Sequence, residues 1–170
     1  MKQRILTALI ILIIFIPILI VGGVVFNLFT LLLGIIGLKE MLDIRESRER
    51  LPIIMKLVTF GGFIFFVANT IIRGDATYLV DCRSIALIMF VLMMPIIIYH
   101  DNRVYNINNA LFLVGTILFL GTAFNLLIML REYSLMHVIY LFSITIMTDV
   151  YAFLGGKRIG KHKLLENVSP

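Results

Sequence analysis

Six apolar stretches separated by short polar connections occupy most of the sequence and limit its fold more than any other feature. They cover residues 5–21, 24–42, 53–72, 84–99, 107–130 and 134–154. A helix needs about 20 apolar residues to cross a bilayer, within a range of about 17–25. The runs are unbroken rather than alternating, which disfavours a β-barrel.

The composition excludes an ordinary soluble domain. Hydrophobic residues make up 61% of the chain, against about 45–50% in soluble domains. The single Cys82 rules out an intramolecular disulfide framework. We therefore expect an all-α integral membrane protein, with residues 1–170 forming one transmembrane domain of about six helices.

The N-terminus, "MKQRILTALIILIIFIPILIVGG", imitates a secretory signal peptide because a basic start precedes an apolar core. Its core is long, no A-x-A-like cleavage site follows, and a second apolar run begins at once. These features favour a retained first span, with Gly22 and Gly23 forming a tight connection to the second.

Lysines and arginines indicate the orientation of the bundle. Twelve of them fall at the N-terminal tip, in the second and fourth loops and in the tail, and three fall on the other side. Cytoplasmic loops carry the excess of Lys and Arg, so both termini are expected to be cytoplasmic. The second loop, "KEMLDIRESRER", mixes signs at short spacing, which predicts a solvated helical extension with i,i+4 ion pairs. The alternative is a surface that meets anionic lipid headgroups.

Asp149 is the clearest charge within an apolar segment. An ionised carboxylate at full membrane depth costs about 2–3 kcal/mol or more, so Asp149 must face a polar cavity, a partner or a metal. The alternative is a structural hydrogen bond to another helix, or snorkelling of the carboxylate to the membrane interface. Other polar residues of the spans are expected to form interhelical hydrogen bonds: Asn27, Asn69, Asn125, His137, Ser143, Thr145 and Thr148.

The tail, "GGKRIGKHK", nearly matches the nucleotide-binding P-loop. Gly155, Gly160 and Lys161 fit G-x-x-x-x-G-K, but His162 stands where Ser or Thr would hold magnesium. A P-loop also follows a strand and opens a helix, whereas this segment leaves a membrane helix. We reject the P-loop and interpret the tail either as an anion-binding segment, with glycines that let backbone amides approach an anion, or as a topology signal alone.

The sequence of the tail resembles the central block of the bacterial phosphatidate cytidylyltransferase family, the CDP-diacylglycerol synthases. That block reads roughly D-x-x-A-Y/F-x-x-G-[KR]-x-[FI/L]-G-[KR]-H-K-L…-[IV]-S-P-K-K-T. The N-terminal opening resembles the family as well. The matching residues are Asp149, Ala152, Phe153, Gly156, Lys157 or Arg158, Gly160, Lys161, His162, Lys163, Leu164, Ser169 and Pro170.

The resemblance implies a reaction of CTP with phosphatidate that gives CDP-diacylglycerol and pyrophosphate, with Mg²⁺ as cofactor, in the bacterial plasma membrane. It implies contact with membrane lipids and a homodimer, and no nucleic-acid partner. Asp149, Lys161 and His162 are the implied catalytic residues, and Asp149 is also the implied metal ligand. The substrate phosphates would be held by Lys157, Arg158, Gly160, Lys163 and Ser169.

The family's C-terminal signature, S-x-x-K-R-x(4)-K-D…H-G-G-x-x-D-R-x-D, does not occur in these 170 residues. The chain therefore resembles the N-terminal two-thirds of such an enzyme, and little or no turnover is expected from it alone. Two other functions stay open: a CTP-dependent polyprenol or lipid-alcohol kinase, and a non-enzymatic transporter or scaffold subunit with Asp149 in an ion path.

Overall fold

The described part of the protein is all-α. The computed structural model describes residues 2–73, 82–99 and 104–160, and within them it contains six helices and no strand. The helices are α1 (Lys2–Val21), α2 (Gly23–Glu46), α3 (Ile53–Arg73), α4 (Cys82–Tyr99), α5 (Ile107–Tyr133) and α6 (Leu135–Ile159). Each begins within three residues of its predicted apolar run, so the expected fold class is confirmed.

Five helices, α2 to α6, are long and apolar enough to cross a membrane. In α1 the side chains of Ile11–Val21 are described, and they form a shorter apolar stretch within a helix of 20 residues. The protein is thus a membrane protein with at least five candidate spans, and the span at α1 stays a prediction.

Helix α5 is the centre of the bundle because it packs against α2, α3, α4 and α6. The main core lies between α2, α3, α4 and α5 and contains Phe63, Leu92, Leu113 and Ile117. A second, smaller cluster joins α1, α2 and α6. Apolar side chains that point outward, such as Phe119 on α5, are exposed, as expected where a helix meets lipid.

The connections alternate between the two ends of the bundle. At one end, Arg45 of α2 donates from Nε and Nη2 to Asn109 Oδ1 near the start of α5, at 3.1 and 2.8 Å. At the other end, Arg131 of α5 donates from Nε to the Leu19 carbonyl at 2.7 Å. The Lys- and Arg-rich second loop therefore shares an end with the start of α5, as the charge count requires. Which end is cytoplasmic stays a prediction.

The second loop behaves as its charge pattern predicts. Helix α2 continues through the mixed-charge stretch to Glu46, and Arg45 pairs with Glu49 at 2.9 Å in i,i+4 spacing. Lys56 at the start of α3 pairs with Glu46 at 2.5 Å. The predicted helical extension is confirmed as far as Glu46, and one i,i+4 pair, Arg45 with Glu49, is present among the described residues.

Arg131 and Gly22 together hold the α1–α2 connection. Besides the Leu19 carbonyl, Arg131 bonds the Ile20 carbonyl from Nη2 at 2.9 Å, and this places a positive charge at the C-terminus of α1, where the helix dipole favours it. Gly22 has φ +65°, and a Cβ there would overlap the Arg131 guanidinium. The tight turn predicted from Gly22-Gly23 is confirmed, and the close approach of Arg131 requires glycine.

The lone amides within the spans differ in what they bond. Asn69 donates to Ser84 across α3 and α4 at 3.1 Å, and Asn27 donates to Glu132 at 3.1 Å, so interhelical hydrogen bonding is confirmed for both. Asn125 is buried, yet neither its Oδ1 nor its Nδ2 bonds another described residue. For Asn125 the expected interhelical bond is wrong.

Tyr105 fastens the connection between α4 and α5. It is buried, and its hydroxyl donates to the Leu92 carbonyl at 2.9 Å. Burial raises the pKa of Tyr105 from 10.0 to about 12, because the phenolate would lose its solvation. The bond ties the short connection to the interior of α4.

Replacing Tyr105 with Phe is expected to lower the free energy of unfolding by about 0.5–1.5 kcal/mol, the usual contribution of a hydrogen bond. In the wild-type protein, the Tyr105 hydroxyl keeps its proton to higher pH in the folded state than in the unfolded state. The stability of the wild type therefore falls as pH rises from about 10 to 12. Thermal unfolding in detergent at about pH 8 and about pH 11 checks this, with the exposed Tyr133→Phe as control. Equal stability of Tyr105→Phe and wild type at the lower pH would contradict the assignment.

Candidate active site on α6

Helix α6 carries the candidate site and begins immediately after α5. Ser134 is its N-cap, and the Ser134 hydroxyl accepts from the Met136 amide at 3.2 Å, as preferred for serine at this position. Val138 and Phe142 attach the first half of α6 to the bundle, since Val138 is fully buried and Phe142 stacks edge-on against Phe15 at 5.3 Å. The second half of α6 leaves the bundle.

Asp149 lies on the same face of α6 as the residues that pack. Residues three, four or seven apart share a helix face, and Val138, Thr145 and Asp149 follow this spacing, continued by Ala152 and Gly156. Asp149 is exposed and makes no hydrogen bond or ion pair with another described residue. The stripe therefore extends the packing face with small and polar residues and presents a free carboxylate.

The hydroxyls near Asp149 bond within α6 rather than to another helix. Ser143 donates to the Ile139 carbonyl at 2.7 Å, and Thr148 donates to the Ile144 carbonyl at 2.7 Å. Thr145 donates likewise within the helix, four residues back. The interhelical bonds expected of these three residues are wrong, because each hydroxyl has a carbonyl of its own helix within reach.

His137 is exposed and stacks edge-on against Tyr133, with ring centroids 5.3 Å apart. This contact is local to the start of α6 and about 18 Å from Asp149 along the axis, at 1.5 Å per residue. His137 is not part of the candidate site.

The basic end of α6 is a turn or more beyond Asp149. Lys157 and Arg158 are exposed in the last turn, where the helix dipole favours cations. Lys157 lies about 12 Å from Asp149 along the axis, at 1.5 Å per residue, so neither residue forms an ion pair with Asp149. The remaining predicted residues lie outside the described part of the chain: Lys161, His162, Lys163 and Ser169.

The structure corrects the interpretation of two of the three glycines in the tail. Gly155 and Gly156 lie inside α6, so their amides are directed along the helix rather than toward an anion. The expectation that the backbone amides of the tail glycines approach an anion is wrong for these two residues. Gly160 ends the helix, and its N–H donates to the Gly156 carbonyl at 3.0 Å. A helix precedes the segment rather than a strand, which confirms the rejection of a P-loop.

A metal site is not complete within the described residues. No group of three His, Cys, Asp or Glu side chains lies close enough to hold an ion there. Mg²⁺ is bound in proteins through one or two carboxylates, with substrate phosphates and water as the other ligands. The free carboxylate of Asp149 fits as one such ligand, and the other protein ligands would have to come from outside the described residues.

Comparison with known proteins decides the family. The model of the cytidylyltransferase family matches residues 2–170. The chain belongs to this family. The match covers all six helices and the basic end of α6, so it does not depend on the tail alone.

Three curated relatives, each named phosphatidate cytidylyltransferase, match the whole chain. The protein of Staphylococcus haemolyticus is 32% identical, that of Staphylococcus aureus (strain COL) 33%, and that of Staphylococcus epidermidis (strain ATCC 35984) 30%, each over 175 residues. The chain spans 64% of the length of these relatives. No solved structure matches.

Proposed function

We propose that the protein transfers a cytidylyl group from CTP to phosphatidate, as part of phospholipid synthesis in the bacterial plasma membrane. The observation that carries this proposal is the match of the whole chain to proteins named for this activity. The basic end of α6 agrees with it, since both substrates are anionic, and the carboxylate of Asp149 agrees with it as a ligand of Mg²⁺. The basic loops would lie on the cytoplasmic side.

The chemistry is one displacement at phosphorus. A phosphate oxygen of phosphatidate attacks the α-phosphorus of CTP, a new P–O bond forms, and the bond to the β-phosphate oxygen breaks. The bonding pair leaves with pyrophosphate. Such transfers are accelerated mainly by positioning and by neutralising charge on the phosphate oxygens, which are tasks for cations held at a membrane surface.

The basic end of α6 would perform the positioning. Lys157 and Arg158 are exposed and unpaired among the described residues, so both are free to bind phosphate oxygens. Arginine offers a planar fork for two oxygens, whereas lysine acts as a point charge. We propose that Lys161, His162 and Lys163 extend this cationic surface and that Gly160 and Ser169 border the bound phosphates.

Asp149 would hold Mg²⁺ together with substrate oxygens. The ion, when bound, neutralises charge that develops on the phosphate groups. Without the ion, the carboxylate would repel both substrates. Asp149 lies about 12 Å from Lys157 along the axis of α6, at 1.5 Å per residue. This distance leaves room for a phosphate chain between the two side chains. We propose that Asp149 and the basic end bind opposite ends of the reacting phosphates.

The products of the reaction test this function. The full-length protein, meaning the product of the complete reading frame, is purified in detergent and supplied with phosphatidate and with CTP labelled at the α-phosphate. We expect it to move the label into lipid and to release pyrophosphate. Omitting phosphatidate should abolish both. Label appearing in free CDP, with the γ-phosphate on a lipid alcohol, would identify a kinase instead. No CTP consumption by the full-length protein would contradict the proposal.

A further inference from the structure

An apolar groove lies between α3, α4 and α5, away from α6. Its volume is about 180 Å³, smaller than the ~300–1,000 Å³ of typical small-molecule pockets. All of its lining side chains are apolar, among them Val58, Phe65, Leu87, Val91 and Ile117. A groove of this size and chemistry fits a segment of one hydrocarbon chain rather than a headgroup or a nucleotide.

Gly61 leaves the floor of the groove open. A Cβ at Gly61 would meet nothing within 4 Å, although the residue lines the groove. The neighbouring Gly62 is closer to the bundle, where a Cβ would lie 3.3 Å from Ile117 Cδ1. The space over Gly61 is therefore not taken by any described side chain, and lining atoms without neighbours lose dispersion energy.

The groove lies at the depth where the acyl chains of one leaflet end. Gly61 and Phe65 are about 12 and 18 Å from the start of α3 at Ile53, at 1.5 Å per residue. Half of the hydrocarbon core of a bilayer is about 15 Å. The groove thus reaches the bilayer midplane, beside the ends of the acyl chains of the leaflet whose headgroups meet the α2–α3 turn.

The α2–α3 turn carries two free cations at that headgroup level. Arg48 and Arg50 are exposed, and their guanidinium groups make no bond or ion pair with another described residue. Arg45 and Lys56 beside them are paired with Glu49 and Glu46. The unpaired arginines stand at the end of the helix whose face forms the groove, since Ile54 continues that face one turn toward them.

We propose that this groove binds one acyl chain of an anionic phospholipid of the surrounding bilayer, whose headgroup contacts Arg48 and Arg50. The groove supplies apolar contact and the turn supplies charge complementarity. The site is separate from α6 and does not depend on the proposed activity.

Native mass spectrometry of the full-length protein in detergent tests the site. Phosphatidylglycerol is expected to give a retained one-lipid adduct, and phosphatidylcholine with the same chains is not. Gly61→Leu fills the groove and should abolish the adduct. Gly115→Leu on α5 is the matched control, because Gly115 also has nothing within 4 Å and does not line the groove; it should keep the adduct.

The arginines give a second, independent measurement. Arg48→Gln and Arg50→Gln are each expected to weaken phosphatidylglycerol binding about fivefold, the usual effect of one basic residue near an anionic headgroup, and Lys39→Gln at another exposed position of α2 should not. Equal retention of the two lipids, or an unchanged adduct in Gly61→Leu, would overturn the proposal. Gly61→Leu that unfolds the protein while Gly115→Leu does not would also overturn it, because the groove would then be a helix-packing surface.

Discussion

Asp149→Asn is expected to lower kcat for CDP-diacylglycerol formation by about 10²–10³-fold, the size of effect seen when one electrostatic group of an active site is removed. Asparagine keeps the shape and the hydrogen-bonding ability of the side chain and removes only the charge. A loss of this size would therefore separate a charged role, in holding Mg²⁺, from a structural hydrogen bond, which asparagine could still make.

Initial rates of the full-length protein over a range of Mg²⁺ concentrations measure this effect. Asp43→Asn is the matched control, since Asp43 is also exposed and lies at the end of α2. We expect Asp43→Asn to keep wild-type rates and Asp149→Asn to need more Mg²⁺ for its residual rate. Lys161→Ala is expected to raise KM for CTP as well. Near-wild-type activity of both Asp149→Asn and Lys161→Ala would exclude the proposed roles.

Helix positions were predictable from sequence because the apolar runs are long and the bilayer fixes their length. Helix ends were less so. The sixth predicted apolar run ends at residue 154, before Gly155 and Gly156, and glycine disfavours helix by about 1 kcal/mol relative to alanine. In an apolar surrounding, an unbonded backbone group costs several kcal/mol, so α6 continues through both glycines to Ile159.

Contacts between distant segments could not be predicted from one sequence. Glu132 accepts a hydrogen bond from Asn27, 105 residues away, and no pattern in the sequence links the two residues. Arg131 counted only as a cation on the less basic side, yet it bonds carbonyls at the end of α1. Both contacts depend on how α1, α2 and α5 pack, and spacing along the chain carries no information on that.

The candidate site shows the same division. Sequence identified Asp149 as an unpaired charge and Lys157 and Arg158 as a basic helix end, and the structure places all three on exposed positions of one helix. The sequence could not show that the hydroxyl of Thr148 donates to a carbonyl of its own helix. The geometry of Lys161, His162, Lys163 and Ser169 relative to Asp149 lies outside the described residues, so their roles stay proposals.

Gly121→Ala is expected to lower the free energy of unfolding by about 1–3 kcal/mol, the usual effect of overpacking a core. A Cβ at Gly121 on α5 would lie 2.5 Å from Phe66 Cδ1 and 3.0 Å from Phe66 Cε1 on α3. Phe66 is buried, so its ring cannot swing into lipid to make room. Helices α3 and α5 would have to separate at the centre of the bundle.

Gly115→Ala on the same helix is the control, because a Cβ there meets nothing within 4 Å. Thermal unfolding in detergent should place Gly121→Ala below wild type and Gly115→Ala at or above it, since alanine favours helix over glycine. Helix α2 offers an independent pair: a Cβ at Gly34 would lie 2.6 Å from Phe63 Cζ, and one at Gly37 meets nothing. If Gly121→Ala and Gly34→Ala unfold with their controls, the close packing of α5 against α3 and of α2 against α3 is wrong. If only the crowded member of each pair is destabilised, glycine is required at both positions by helix contact and not by chain flexibility.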